Sequence, residues 1–238
     1  MTTVDITTVP APWGAEPYTE ALRAGRGPLF LRRTDGWLLP LEVERWCAGP
    51  DPADLTVLDR CHGSVLDIGC GPGRLVAALA ARGRMSLGID VSPAAVAHTL
   101  RSGGSALVRS VFEPLPREGS WDTALLMDGN IGIDGDPPAL LSRMAGVVGP
   151  AGSLIVEAAP AGMGVDLDER VHVRVDNGRG DGGGSDGAGF AAAAFPWARV
   201  GSRALLGHAG AAGWSPAEQW TADGRTFVAL RRTAVLGR

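Results

Sequence analysis

The sequence contains no lysine, and all 22 of its basic side chains are arginine. A Schiff-base lysine is therefore removed from the chemistries open to the chain. Cysteine is scarce too. Cys47, Cys61 and Cys70 are odd in number and form no CxxC pair, so neither a disulfide framework nor a thiolate zinc site is expected. The net charge is only −4 and no basic stripe is visible, which argues against DNA, tRNA or rRNA as partner. Long apolar runs are missing: the best, around Leu75–Ala81, falls far short of a membrane span. The opening MTTVDITTVPAP has neither the basic region nor the apolar core of a secretory signal. A cytoplasmic protein without a membrane partner, monomeric or homodimeric, is the expectation.

What is present is alternation. The 238 residues, 45% apolar and 20% charged, suit one sizeable α/β domain. Residues 1–15 read as a loose, proline-rich tail. Glu16–Gly25 reads as a short helix, and Pro28–Leu41 as a hairpin around Thr34-Asp35-Gly36. Two short helices follow, the second capped by Asp51 with Pro52 at its first position. From residue 64, strands SVLDIG, MSLGID, ALVR, WDTALLM and SLIVE are separated by helices whose starts (Ser92-Pro93, Asp136-Pro137) and stops (Gly83, Gly103, Gly149-Pro150) are marked. Such alternation predicts parallel strands with helical crossovers, an α/β doubly wound sheet. VHVRV (Val171–Val175) and GFAAAAFPW read as a late β insertion, about residues 165–197, around the glycine-rich 176–189. A helix across Val200–Ala212 and a hairpin turning at Asp223-Gly224 close the chain. No second core is visible. The division expected is a tail and cap over 1–62 and a main domain over 63–238.

VLDIGCGPGR (Val65–Arg74) places Gly69, Gly71 and Gly73 behind an apolar strand. In a doubly wound sheet ligands bind at the carboxyl ends of the strands, where this loop lies. A dinucleotide fingerprint needs G-x-G-x-x-G, but Arg74 stands at the third glycine's place, and no G-K-S/T follows for a phosphate loop.

With an acidic strand end in GIDVS, this motif resembles class I S-adenosylmethionine (SAM) dependent methyltransferases. The resemblance is strong over about residues 64–157 and weak over the closing hairpin. It implies a Rossmann-like seven-stranded sheet ending in an antiparallel hairpin, with SAM as cofactor. It further implies that Asp67 orients the methionine amino group, that Gly69 and Gly71, flanking Cys70, admit the ligand to the backbone, and that Asp90 grips both ribose hydroxyls. The family commonly has an acid after the third strand to accept from adenine. Ser110 stands there instead, so adenine binding is expected to lean on the Val111 backbone and on packing by Val91 and Phe112. The backbone near Met127 and Asp128 would face the methionine end.

Methyl transfer is an in-line displacement in which positioning supplies much of the acceleration, and a base is needed only if the acceptor must lose a proton. Asp128 is the candidate base, and Asn130 shares its loop. Glu157 ends the fifth strand. It could join Asp128 in holding magnesium, but no third ligand stands at a telling spacing, so no metal is expected. Of the four histidines, His172 alone lies on a segment able to reach over the pocket. Tyr18, Phe30, Trp37 and Trp46 are candidate walls of an acceptor pocket, with Arg32 or Arg33 for an anionic group. The N-terminal segment is expected to act as a lid that the sheet does not need in order to form.

Three functions compete: methylation of a small aromatic or biosynthetic metabolite at O, N or C; SAM binding without turnover; and a nicotinamide oxidoreductase, which Arg74 disfavours.

Overall fold

The computed structural model describes Trp13 and residues 16–160, 166–178 and 193–233. The chain begins with α1 (Glu16–Ala24), then β1 (Phe30–Arg33) and β2 (Leu38–Pro40), an antiparallel hairpin turning at the expected Thr34-Asp35-Gly36. Next come α2 (Val43–Cys47) and α3 (Pro52–Arg60). The start of α3 is fixed by a reciprocal capping box, in which the Asp51 carboxylate accepts from the Asp54 amide and the reverse, with Pro52 at the first helical position.

The alternation then follows as expected: β3 (Val65–Ile68), α4 (Arg74–Ala81), β4 (Ser86–Asp90), α5 (Pro93–Arg101), β5 (Ala106–Val108), β6 (Trp121–Leu126), α6 (Pro137–Val147) and β7 (Val148–Ala158). Ser92 and Asp136 cap α5 and α6 from their side chains. Gly149-Pro150 lies within β7 rather than merely closing the helix before it. After β8 (Asp168–Asp176) and β9 (Phe195–Val200) come α7 (Ser202–Ala211), β10 (Trp214–Ala222) and β11 (Arg225–Arg232).

The main sheet has seven strands in the order β10-β11-β7-β6-β3-β4-β5. The β7-to-β5 portion is parallel and β10-β11 is the antiparallel hairpin. Strand order reverses beside β3, so the carboxyl ends of β3, β4 and β6 open one crevice. One face packs α6 and α7 through Leu140, Leu141, Met144 and Leu205. The other packs α3 and α4 through Val57, Leu58, Leu75 and Leu79. Although α3 precedes residue 62, it is therefore buried against the main sheet.

Two expectations are corrected. The cap and the late insertion are not separate embellishments: β1 pairs with β8, giving a second, fully antiparallel sheet ordered β2-β1-β8-β9. A second core exists beneath it, uniting Tyr18, Leu29, Leu31 and Val43 with Val173, Val175, Phe195 and Trp197. Trp13, from the segment expected to be loose, packs edge-on against Tyr18, Phe195 and Trp197. The remaining residues of 1–15 and residues 179–192 of the glycine-rich stretch lie outside the described residues.

The first 45 residues are accordingly half of a core rather than a detachable lid. Leu31→Ala, at a side chain only 1% exposed, should lower unfolding free energy by about 2–4 kcal/mol in a urea titration. Deleting residues 1–45 should expose Val173, Val175 and Trp197 and produce a protein that binds a hydrophobic dye and melts earlier.

Candidate active site

The crevice at the end of the parallel strands is roofed by the second sheet, enclosing a cavity of about 430 Å³. That volume lies in the range of small-ligand sites. Its floor includes the glycine loop, Asp90, Val91, Ser110, Val111 and Phe112. Its roof includes Trp13, Tyr18, Phe195 and Trp197, and Asp128, Asn130 and Glu157 stand at one side.

The loop's three glycines have three different causes. All have positive φ, where a Cβ is strained. A Cβ on Gly69 would meet the Asn130 amide at 2.6 Å, and one on Gly73 would meet Thr99 Oγ1 at 2.3 Å. These two are small to admit the protein's own side chains. Only Gly71 faces open space, the nearest atom being the Tyr18 hydroxyl at 3.7 Å. Gly69 nonetheless lines the cavity with its backbone. Asn130 is a brace: its Nδ2 donates to the carbonyls of Ile68 and Gly69 at 2.8 and 2.9 Å. Cys70 turns its thiol inward, against Thr99 and the face of Gly88.

Asp90 ends β4 beside Gly71. Its two oxygens accept from the amides of Gly71 (2.9 Å) and Ser92 (2.8 Å), which leaves a lone pair on each for hydroxyl donors. Burial pushes its carboxyl up to about 6, those amides resisting. Asp67 is 3% exposed and lies beneath the cavity rather than on its wall. Burial pushes it up to about 7, against the pull of the Arg74 guanidinium. Ser110 lines the cavity, with its hydroxyl accepting from the Phe112 amide at 3.2 Å. Met127 does not line it: its side chain packs with Leu75 and Leu125 on the α3/α4 face of the sheet.

The feature least visible in the sequence is a buried ionic cluster. Arg74, its side chain 4% exposed, forks onto Asp54 (2.7 and 3.0 Å) and onto Asp128 (2.7 and 3.1 Å). Arg225 from β11 binds Glu157 at 2.8 and 2.7 Å, reaches Asp54 at 2.9 Å, and contacts Asp51. Arg45 from α2 reaches Asp128 at 2.8 Å, and the Asp128 amide donates to Glu157 at 2.8 Å. Burial opposes ionisation of Asp54, but the two arginines outweigh it and leave that carboxyl at about 2. Asp128 is likewise held below the usual carboxylate range, burial being overcome by Arg74, Arg45 and Arg225. A carboxylate so held is a poor proton acceptor, so Asp128 is a structural anion rather than the expected base. The long side chain at the third glycine's place is the keystone of this cluster.

His172 is also corrected. On β8 the residues Val173 and Val175 point into the second core, so His172 alternates outward, exposed and off the cavity wall. Phe30, Trp37, Arg32 and Arg33 are off it as well: Arg32 pairs with Asp176, Arg33 with Asp35, and Trp37 stacks under Arg33 and Arg199. Tyr18 and Trp46 do line it, while Trp13, Phe195 and Trp197 were not singled out in the sequence.

A family model for a methyltransferase domain matches residues 65–152. Among solved structures the chain is similar to a SAM-dependent methyltransferase from Bacteroides fragilis in complex with S-adenosylhomocysteine (SAH). The TM-score is 0.74 at 17% identity, over 95% of this chain and 98% of that one. It is similar also to the 1,6-didemethyltoxoflavin N1-methyltransferase of Burkholderia thailandensis, at a TM-score of 0.57 and 18% identity, over 81% and 82% of the chains. A sugar N-methyltransferase from a Streptoalloteichus species gives 0.53 and 18%, over 79% and 88%. At these identities the likeness is one of fold, and the fold is that of class I methyltransferases.

The shift at Asp67 has a sign that can be measured. Its folded value of about 7 exceeds the unfolded value of about 4, so its contribution to stability is fully present below about pH 4 and lost as pH rises through 7. Asp67→Asn should therefore stabilise the ligand-free protein, by a margin that grows from about pH 4 to pH 7 and then levels. Thermal melts across that range check it, and a constant margin would place Asp67 in a solvated setting.

Proposed function

We propose that this chain, which carries a methyltransferase domain on the class I SAM-dependent fold, moves a methyl group from SAM to a small-molecule acceptor, mainly by holding the two together. The observation that carries this reading is the pairing of Gly71 with Asp90. Gly71 opens the loop to the cavity, and beside it a buried carboxylate keeps one lone pair free on each oxygen. A ribose diol presents two hydroxyl donors at that spacing, and a phosphate would be repelled. The missing third glycine weighs against a nicotinamide dinucleotide, and the carboxylate against one that carries a 2′-phosphate.

SAM would supply the methyl group, already activated by its sulfonium charge. The residues do the rest. Asp90 would hold the ribose, with Val91, Val111 and Phe112 forming the adenine's apolar surroundings and Ser110 a weak polar contact. The Gly71 backbone would set the methionine end, with the Asp67 carboxyl acting from beneath the cavity floor. Asn130 keeps the glycine loop in its bound shape by bracing two of its carbonyls. The roof of Trp13, Tyr18, Phe195 and Trp197 would exclude water and seat the acceptor. With Asp128 committed to arginines, the acceptor's proton, where it has one, is released to water rather than to that carboxylate.

The acceptor is read as a metabolite of biosynthetic chemistry in the cytoplasm, with no nucleic-acid partner and a monomeric or homodimeric protein. Among the described residues no helix is long and apolar enough to cross a membrane. The test is transfer of label from methyl-labelled SAM to a panel of metabolites, with calorimetry against SAH, NADH and NADPH. Binding of either nicotinamide dinucleotide in place of SAH would overturn the reading. Asp90→Asn should weaken SAM and SAH alike, by about ten- to a hundredfold, since both carry the diol. Unchanged SAH affinity would make Asp90 a turn residue.

A further inference from the structure

The roof holds one polar group that the fold itself leaves unused. Tyr18, on α1, is 4% exposed, and its ring is fixed in the second core, edge-on to Trp13 at a centroid distance of 5.3 Å. The ring carries its hydroxyl to the glycine loop, where the oxygen stands 3.7 Å from the place a Cβ on Gly71 would take. Among the described residues no donor or acceptor bonds that oxygen. Nor is it sealed. The side-chain atoms of the described residues that are both sealed from solvent and unpartnered are Arg45 Nη1, Trp46 Nε1 and Arg109 Nε, so the Tyr18 oxygen keeps an open surface, on the cavity that the residue lines. Buried hydroxyls are seldom left without a partner, and this one calls for a ligand atom.

The protonation state of the phenol makes it a donor. Burial, and after it the charge of Asp90, pushes its ionisation well above the usual range, so the proton stays on the oxygen. The floor opposite is acidic, with Asp90 beside Gly71 and Asp67 beneath. Two arginines that line the same cavity are already committed, Arg74 to Asp54 and Asp128, and Arg45 to Glu42 and Asp128. The amino-acid end of SAM or SAH carries an ammonium and a carboxylate. Acids in the floor draw the first and repel the second, which is left to a donor on the roof side.

We propose that the Tyr18 hydroxyl donates to the carboxylate of the cofactor's amino-acid end, which makes the roof part of the cofactor site. This rests on the methyltransferase reading and goes beyond it, since there Tyr18 only walls the acceptor. The cofactor then joins the glycine loop to α1, and so ties the main sheet to the second core. Tyr18 is a binding residue in this role and takes no proton from the acceptor.

The test is calorimetry on the full chain with two ligands, SAH and its decarboxylated analogue, which keeps the adenosine and the amino group and lacks only the carboxylate. Tyr18→Phe retains the ring and removes an unbonded hydroxyl, so the ligand-free melt should not fall. The variant should bind SAH about ten- to a hundredfold more weakly than the wild type does, the loss expected for a hydrogen bond to a charged group. The decarboxylated analogue should bind both proteins alike. Because two ligands are compared on one protein, a general loosening of the variant would lower both affinities together and leave their ratio unchanged. An equal loss with both ligands would overturn the proposal, and so would no loss with either. A wild-type chain that binds neither ligand is a separate outcome, in which the methyltransferase reading itself fails.

Discussion

One buried guanidinium constrains much of this molecule. Arg74 opens α4, where the helix's own N-terminal amides disfavour a positive charge, and it is almost wholly removed from water. Such a group is tolerable only if its charge and its donors are both answered. Asp54 and Asp128 do so as two forks on one planar cation. The answer ties three elements together: α3 carries Asp54, α4 carries Arg74, and the turn after β6 carries Asp128. Asp128 sits there in the left-handed region, at a φ of 56°, and the ion pair makes that strained turn worth holding. Two residues on, Asn130 reaches the glycine loop, so the loop's shape is set through bonds that begin at Arg74.

The remaining anions of the site are treated in the opposite way. Asp54 and Asp128 have arginines and stay ionised. Asp67 and Asp90 have burial without an arginine fork and are pushed toward protonation in the ligand-free protein. Perturbed carboxyls of this sort concentrate at functional sites. The protein thus commits Arg74 and Arg225 to its scaffold and leaves Asp67 and Asp90 without such forks.

Much of this was legible in local patterns. Asp51-Pro52, Ser92-Pro93 and Asp136-Pro137 marked three helix starts, and apolar runs of four to six residues marked the parallel strands. The outward aspect of His172 was legible as well, because Val171, Val173 and Val175 alternate with it and the period of a strand is two. What could not be read is what depends on distance along the chain. Nothing in FLRR names VHVRV as its partner, since one hydrophobic strand edge resembles another until register is fixed. Nor does a glycine announce which atom displaced its side chain: Gly69 yields to Asn130, Gly73 to Thr99 and Gly71 to open space. Arg74 was conspicuous only as a departure from a glycine pattern, and its purpose needed Asp54 and Asp128 beside it.

The pairing of β1 with β8 also sets an order of assembly. Arg32 and Asp176, whose side chains pair diagonally across that seam, are 144 residues apart in sequence. As the chain emerges from its N-terminal end, β1 and β2 must wait, with their apolar face uncovered, until the whole parallel sheet has been made and β8 arrives. Contacts this far apart close slowly, because the loop entropy is spent before the contact repays it. The glycine loop is therefore available early in the life of each molecule, and the roof over the cavity is among its last parts to be completed.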